Sequence, residues 1–545
     1  MIGDPLVTVS DITAAAEGHG DFALPCFKYA RELKKAPQAI AQGFAERMAD
    51  DPLIDRTEVA GGYLNFYLDR AARVGDTLRE AADKRMIAAI RGANADKTVC
   101  IDYSSINIAK PFHIGHLMST AIGGSLYRIY NWLGYRAVGI NHLGDWGTQF
   151  GKLLAAYDAW GDKSRPLTLD DMLALYVRFT DESADDPVLA ERGRMEFLKI
   201  ERGDPEAVRT YELFKATTLA EVGKVYKRLG IEFDSYNGEA FYNDKMQPIV
   251  DELAAKGLTE ISDGALVVKL DDYGMPPCLI TRSDGATLYA TRDLAAADYR
   301  AATYGFEKSL YVVATQQNLH FRQVFKVLEL MGREWAKDLV HVQFGMVSYE
   351  GKPLSTRHGH VVFLKDVIDN TVNKAREIIE EKNPALENKE STAESVGVGA
   401  VMFFALGTQR IKDVDFNYEK VLSFEGETAP YLQYTHARCR SVLAKADKPA
   451  SCDYTLLTDD DSYAVVRLLG SFAGAVAEAA DKYEPSIVAR YLIDLAQSYN
   501  RFYIGSRIIT DDKALTAARL TLTAAVADTV KEGLGLLLIN APDKM

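Results

Sequence analysis

TVCIDYSSINIAKPFHIGHLMST, Thr98–Thr120, is the stretch on which the reading of this chain turns. Its first six residues, Thr98–Tyr103, make a short apolar, β-branched run, the pattern of a buried strand. From His116 on, Leu117, Ala121, Ile122, Leu126, Ile129, Tyr130 and Leu133 recur at helical spacing, so a helix opens there. Between strand and helix sit Asn107, Lys110, Pro111, His113, Gly115 and His116. A strand that feeds a loop and then a helix N-terminus is an anion site, because free N–H groups and the helix dipole favour phosphate. Gly115 lets a nucleotide approach the backbone, while Lys110 and the two imidazoles add donors for a polyphosphate. The stretch reads as a nucleotide site. A chance H-x-G-H is expected on the order of 0.01 times in a chain of this composition, so two incidental histidines are the weaker explanation.

Working outward, 545 residues are too many for one core, and about three or four domains are expected. A hydrophobic content of 48% with 26% charged residues is that of an ordinary globular protein. No apolar run of about 18 residues stands out, so no membrane span is expected. Residues 1–22 carry no basic leader, apolar signal core or arginine-rich amphipathic pattern, which points to a cytoplasmic protein. The net charge of −14, from 63 Lys+Arg against 77 Asp+Glu, is only a weak argument against nucleic acid, since phosphate is read by local basic faces. Cys26, Cys100, Cys278, Cys439 and Cys452 include no C-x-x-C pair, so neither a zinc knuckle nor a disulfide framework is expected, and no protein-bound metal.

Upstream, residues 1–96 read as a small α/β module. Helices are expected over Ala23–Leu33 and Pro37–Met48, with a glycine-punctuated strand over Val59–Asp69. Residues 97–160 form the first half of a nucleotide-binding fold: the opening stretch, a strand at Tyr135–Asn141, and a loop with Gly144, Asp145, Trp146 and Gly147, where open α/β sheets place ligands. Residues 161–229 shift to charged helix with no strand pattern, a helical insertion whose charges read mainly as a solvated face. Residues 230–395 return to the fold, with strands expected at Gly264–Leu270, Cys278–Ala290 and Leu339–Val347 and a strand–loop–helix over Leu310–Gly332. There Tyr289 and Asp293 stand four apart, on one face of a turn entering a helix. A helix is expected at Asp366–Lys382 and a polar break at Asn383–Ser395. Residues 396–545 read as a helical bundle, with helices at Gly397–Gln409, Tyr418–Ala446, Asp461–Lys482, Pro485–Ser506 and Asp511–Leu538.

The run SSINIAKPFHIGHLMST resembles the H-I-G-H signature of class I aminoacyl-tRNA synthetases in the form used by arginyl-tRNA synthetases, and HLGDWGTQFG (His142–Gly151) is similar to that family's wording. HGDFA, VAGGYLNFYL and the Lys34-Lys35-x-Pro37 turn resemble its N-terminal appended domain. FEGETAPYLQYTHARCRSVLAKA, YLIDLAQSYNRFY and LGLLLINAPDKM resemble its anticodon-binding helices. The resemblance runs through the whole chain in order. It departs at Ile106, Met118, Glu427 and Ala429, where the family usually has Pro, Arg, Asn and Gly. The second class I signature, K-M-S-K-S, is here P-L-S-T-R at Pro353–Arg357, without either lysine.

The resemblance implies a doubly wound parallel sheet of class I type split by the helical insertion, an N-terminal α/β domain and a C-terminal all-α anticodon-binding bundle. It implies arginine–tRNA ligation from arginine, Mg2+ with ATP, and tRNA(Arg), by a chain expected to be a monomer. Catalysis would fall to His113, His116, Lys110 and Gly115, with Lys110 standing in for the missing lysines. Arginine would be met by Asn107, Ser104, Glu239, Tyr289, Asp293 and Gln317, the carboxylates facing the guanidinium. ATP would be held by His113, Gly115, His116, Gly345, Met346, Val347, Ser355, Thr356 and Arg357. The tRNA would be met by Lys34, Lys35, Tyr431, Tyr434, His436 and Arg438. Another class I specificity and a non-catalytic tRNA-binding paralogue are the rival readings. The lack of metal-ligand cysteines argues against a cysteinyl type, and the intact Asn107, Lys110, His113 and His116 argue against a scaffold.

Overall fold

Thr98–Asp102 (β1) is wholly buried and has a parallel strand on either side of it. The computed structural model describes residues 6–8, 11–16, 18–48, 51, 53–110, 112–283, 287–353, 362–446 and 452–545. After β1 the chain passes through helix α1 (Leu117–Trp132) to strand β2 (Arg136–Ile140), which pairs with β1 in parallel from Thr98↔Arg136 to Asp102↔Ile140. Three helices (Leu169–Glu182, Pro187–Glu201 and α2, Pro205–Leu229) make the insertion. The chain then runs through helix α3 (Tyr289–Tyr304), strand β3 (Lys308–Ala314), helix α4 (Asn318–Leu330) and strand β4 (Leu339–Phe344). The sheet order is β4-β3-β1-β2, all parallel.

That order fixes where a ligand goes. From β1 the chain steps one way to β2, while β3 lies on the other side of β1, so the winding reverses between β1 and β3. A crevice opens outside the carboxyl ends of the strands at such a switch point. The loops after β1 (from Tyr103) and after β3 (from Thr315) flank it. Helix α1 lies tight against the first of them: a Cβ on Gly123 would come within 2.2 Å of the Tyr103 Cβ, so only glycine fits. Leu294, Val324, Leu328 and Tyr311 pack with Cys100 and Ile140 into a buried core beneath the site. Each such aliphatic or aromatic side chain contributes about 1.5–3 kcal/mol when fully buried.

The chain divides into two compact units, one of Met1–Met86, Arg438–Ala473 and Asp494–Val530, the other of Ile87–Ala437, Gly474–Ile493 and Lys531–Met545. The first holds a four-stranded antiparallel sheet of Thr13–Ala14, Phe22–Pro25, Tyr63–Leu68 and Ile54–Ala60, backed by the helix Pro37–Met48 through Leu24, Ile40, Phe44 and Leu64. The helix expected at Ala23–Leu33 is instead a strand to Pro25, a 3-10 turn at Cys26–Tyr29 and a single helical turn at Ala30–Leu33. Leu24 pairs with Leu64 across the sheet, and tertiary pairing overrides the local helical pattern. The single strand expected at Val59–Asp69 is a hairpin, turned at Gly61 and Gly62, both at positive φ (56° and 91°).

Other departures lie near the second half of the nucleotide fold. Cys278–Thr281 is a strand, but Tyr289–Ala290 already belong to α3. The strand expected at Leu339–Val347 stops at Phe344, because Gly345 passes so close to the Lys412 carbonyl that a Cβ would sit 2.4 Å from its oxygen. Val347–Tyr349 then joins a separate small sheet with Val414–Phe416 and Lys352–Pro353. Helix α5 (Leu364–Lys382) is followed by α6 (Lys389–Leu406), so the polar break ends at Asn388 and not at Ser395. The helices expected at Tyr418–Ala446 and Asp461–Lys482 are each interrupted, giving Tyr418–Val421, Ala429–Leu443, Asp460–Leu469 and Phe472–Asp481. Against the expectation of none, Asp460–Asp481 is apolar enough by length and composition to cross a membrane. Gly470 and Ser471 break it into two helices, and half of its most apolar window is buried, as in core helices.

Candidate active site

The loop from β1 to α1 is built on strained backbone. Ser104, Ser105 and Ala109 all take left-handed φ (69°, 47° and 60°), and none is glycine. Such residues cost of order 1–3 kcal/mol each and persist only where their surroundings over-determine them. Here the surroundings do. The Ser104 amide donates to Ser119 Oγ at 2.9 Å, its hydroxyl meets the Tyr226 hydroxyl at 2.7 Å, and Thr120 Oγ1 donates to it at 2.9 Å. Ser105 Oγ donates to Asp102 Oδ1 at 2.8 Å, and the Ala109 amide donates to Thr218 Oγ1 at 3.1 Å. Ile106 and Ile108 point into the core between them. Asn107 is bridged to Gly144, so this loop and the Gly144–Gly147 loop form one wall. Ser104, expected to meet substrate, is instead buried with its hydroxyl engaged by Tyr226 and Thr120, and acts here as a support.

The signature itself closes as a reciprocal cap. Gly115 donates its amide to His113 Nδ1 (3.1 Å), and His113 donates its own to His116 Nδ1 (3.3 Å). With each Nδ1 accepting a backbone N–H, the proton of each neutral ring sits on Nε2, which leaves two Nε2–H donors. Burial lowers the pKa of His113. Burial, then the charges of His113 and Lys110, push His116 down to about 3. Both imidazoles are therefore neutral donors at neutral pH. Lys110 stands exposed at the rim. The segment after the second signature pins the first: Ile114 donates to Val362 O at 3.0 Å and Leu364 to Phe112 O at 2.9 Å. Ser355, Thr356 and Arg357 lie outside the described residues.

Acidic groups gather beside these loops. Asp145 is fully buried and accepts from the Ala240 amide at 2.9 Å and from Lys215 Nζ at 2.8 Å, which fixes the 3-10 turn that begins at Glu239. Burial raises Glu239 to about 7; Asp293 and Asp145 add to the rise, and Arg292 opposes it from 3.8 Å. Asp293 Oδ2 and His320 Nε2 are 2.6 Å apart. Burial pushes Asp293 up, but the His320 hydrogen bond and charge, with His142 and Arg300, outweigh it and leave it below the usual carboxylate range. His320 is pushed down by burial and more than restored by Asp293, so it lies above its ordinary value. Tyr289, one turn before Asp293, is 66% exposed, and Gln317 is exposed on the turn before α4.

Gly345, Met346 and Val347 cross from β4 to the small sheet. There the Met346 amide already donates to Asp413 Oδ1 (2.7 Å) and its carbonyl accepts from Val414 (2.9 Å). Lys34 and Lys35 are exposed in the first unit. Tyr431, Tyr434, His436 and Arg438 all lie on the helix Ala429–Leu443. Tyr434 is exposed, and Arg438 donates to Asn500 Oδ1 at 2.7 Å. His436 corrects the expectation of an RNA contact: it is 1% exposed, with its Nε2 3.0 Å from Asp543 Oδ1, and presents no face to a base. Sequence reasoning missed Arg292, Arg300 and the inward face of α2. The α2 face alone had a signal, its spacing, with Tyr211, Lys215, Thr218, Val222 and Tyr226 falling on one side of a helix.

Three family models match the chain: "tRNA synthetases class I (R), catalytic domain" over residues 82–418, "DALR anticodon binding domain" over 432–545, and "Arginyl tRNA synthetase N terminal domain" over 4–68. The arginine–tRNA ligases of Alkaliphilus metalliredigens and Clostridium botulinum (strain Alaska E43) are 47% and 48% identical to it over 530 residues, covering 96% of this chain and 94% of theirs. The Thermus thermophilus arginyl-tRNA synthetase structure superposes with a TM-score of 0.82 at 27% identity, covering 98% of this chain and 96% of that one. The Plasmodium falciparum arginyl-tRNA synthetase, at 21% identity and a TM-score of 0.83, shares the fold. A parallel sheet that carries the His-Ile-Gly-His cap, with these matches along its length, makes the chain a member of the class I arginyl-tRNA synthetase family.

Proposed function

We propose that the chain is an arginine–tRNA ligase working in two steps. The α-carboxylate of arginine attacks the α-phosphorus of ATP; the bond to the β-phosphate breaks, pyrophosphate leaves and arginyl-adenylate forms. A hydroxyl of the terminal ribose of tRNA(Arg) then attacks the arginyl carbonyl, its proton is lost and AMP leaves. No side chain of the protein is acylated, so catalysis is positioning and charge stabilisation. The observation that carries this reading is the pairing of a neutral-histidine phosphate cap with the partly buried carboxylates Glu239 and Asp293 beside the same sheet end. A guanidinium is planar and always charged, and it needs such acceptors.

In this reading His113 and His116 donate through Nε2 to phosphate oxygens, Gly115 gives close backbone approach, and Lys110 neutralises the leaving pyrophosphate. Asn107 and Gln317 take the α-groups of arginine, Glu239 and Asp293 take the guanidinium, and Tyr289 lies alongside. Gly345, Met346, Val347, Ser355, Thr356 and Arg357 serve ATP. Magnesium arrives on the nucleotide as Mg-ATP. The division at 1–96, 97–160, 161–229, 230–395 and 396–545 gives the tRNA an N-terminal contact through Lys34 and Lys35 and an anticodon contact through Tyr431, Tyr434 and Arg438. We take the protein to be a cytoplasmic monomer. The test is an aminoacylation panel of the twenty amino acids with Mg-ATP and total tRNA: arginine alone should be charged, and charging of another amino acid instead would overturn the reading. Within it, Lys110→Ala should slow adenylate formation more than Lys352→Ala.

A further inference from the structure

The charges of the helical insertion read mainly as a solvated face, yet one side of α2 bonds the loops that follow β1 and β2. Tyr211 donates its hydroxyl to Asp145 O at 2.8 Å, and Lys215 Nζ lies 2.8 Å from Asp145 Oδ2. Asp145 in turn holds the turn that presents Glu239. One turn on, Thr218 Oγ1 accepts from the amide of left-handed Ala109. Two turns further, the buried Tyr226 meets three segments at once. Its hydroxyl bonds left-handed Ser104 at 2.7 Å and accepts from Asn141 Nδ2 at 3.1 Å, and its ring stands edge-on to Phe112, the neighbour of His113, at 5.4 Å. The far end of α2 is anchored as well, since Arg228 pairs with Glu394 on α6 at 2.8 Å and with Asp369 on α5.

We infer that α2 is the positioning rail of the reaction, and that Thr218 and Tyr226 are positioning residues that hold the strained Ser104–Ala109 loop so that Asn107 faces the arginine. Left-handed serine and alanine do not keep that shape unaided. The two hydroxyls bond opposite ends of the loop, at Ser104 and Ala109, with Asn107 midway. A site held by packed side chains on a rigid helix keeps its geometry, whereas a displacement of about 1 Å can cost about a hundredfold in rate. This inference rests on the reading of Asn107 as a ligand of the arginine α-groups.

The experiment compares Thr218→Val, which keeps shape and loses the hydroxyl, with Thr218→Ser, which restores it, alongside Tyr226→Phe and Asn107→Ala. Arginine and ATP are titrated separately in the full aminoacylation assay. Thr218→Val and Tyr226→Phe should each raise the KM for arginine, and with it lower kcat/KM for arginine, by about ten- to a hundredfold, with the KM for ATP within about twofold, and Thr218→Ser should return to near wild type. Equal losses toward ATP and arginine, an unchanged arginine KM, or a Thr218→Ser variant as poor as Thr218→Val would overturn the proposal. Unfolding of Tyr226→Phe leaves the Thr218 pair to decide. If Asn107→Ala raises the arginine KM while the Thr218 pair does not differ, the rail alone falls. If Asn107→Ala has no effect, the reading of the site falls and the proposal with it.

Discussion

Asp293 and His320 join two helices, α3 and α4, through a 2.6 Å contact between Oδ2 and Nε2. Both side chains of the pair are about three-quarters buried, with 24–25% exposure. Helix α3 starts four residues earlier, at Tyr289 with Leu288 as its N-cap, so Asp293 does not cap the helix. An ionised carboxylate offers about four lone-pair sites, so one that holds His320 still has capacity for a guanidinium.

Asp293→Asn should therefore raise the KM for arginine steeply and leave that for ATP nearly unchanged. Truncating one partner of a desolvated, hydrogen-bonded charge pair costs about 2–5 kcal/mol, or roughly 30- to 5,000-fold. The same change removes what holds His320 above its ordinary pKa, which imidazole NMR would read directly. An arginine KM equal to wild type would withdraw Asp293 from the pocket and leave the histidine contact as its whole role.

Glu239 makes arginine binding depend on pH. Burial first, then Asp293 and Asp145, raise its carboxyl to about 7, so the empty site is partly protonated at neutral pH. A guanidinium binds the ionised form and must displace that proton. The arginine KM should be flat above pH 7 and climb about tenfold for each unit below it, because one proton is released on binding. Glu239→Gln should raise the KM throughout and abolish the slope. A slope that survives the substitution assigns the titration elsewhere.

What was legible in the sequence was local. Thr98–Asp102 and Leu117–Trp132 follow from a β-branched run and a helical apolar period, while the parallel sheet came from the family resemblance. Ala23–Leu33 misled because Phe22–Pro25 is helix-like in pattern and is recruited as a strand by Tyr63–Leu68, forty residues on. Lys389–Ser395 read as a break because the first turns of α6 are polar where they face solvent. The charged residues that complete the site were silent for another reason. Arg292 beside Glu239, Arg300 beside Asp102 and Lys215 beside Asp145 are each brought in from 53 or more positions away, and no spacing rule couples them.

His116→Ala should lower kcat by about 10²–10³-fold and change the KM for ATP little, since a preset Nε2–H donor gains most as charge develops on the phosphates. A variant within about threefold of wild type would move the chemistry away from this loop. Because His116 is held at about 3, the unfolded chain binds more protons than the folded one below pH 6.5. Its contribution to stability is complete above pH 6.5 and is lost as pH falls from there toward 3, and His116→Ala should lessen that acid sensitivity.

Asp102 closes the end of β1 over a buried cation. Arg300 is 1% exposed, and its Nη2 donates to Asp102 Oδ2 at 2.7 Å, while Asp102 Oδ1 accepts from Ser105. A guanidinium taken out of water costs several kcal/mol and is offset only by a well-placed anion. Asp102→Asn keeps the shape and the Ser105 hydrogen bond but strands that charge, so it should destabilise the fold by about 3–5 kcal/mol. The double change Asp102→Asn with Arg300→Met removes the cation as well and should regain much of the loss, because replacing both members of a buried pair is often close to neutral. Thermal unfolding of the two variants beside wild type separates the cases: a single mutant that melts with wild type, or a double mutant worse than the single, would show that the pair does not secure this strand end.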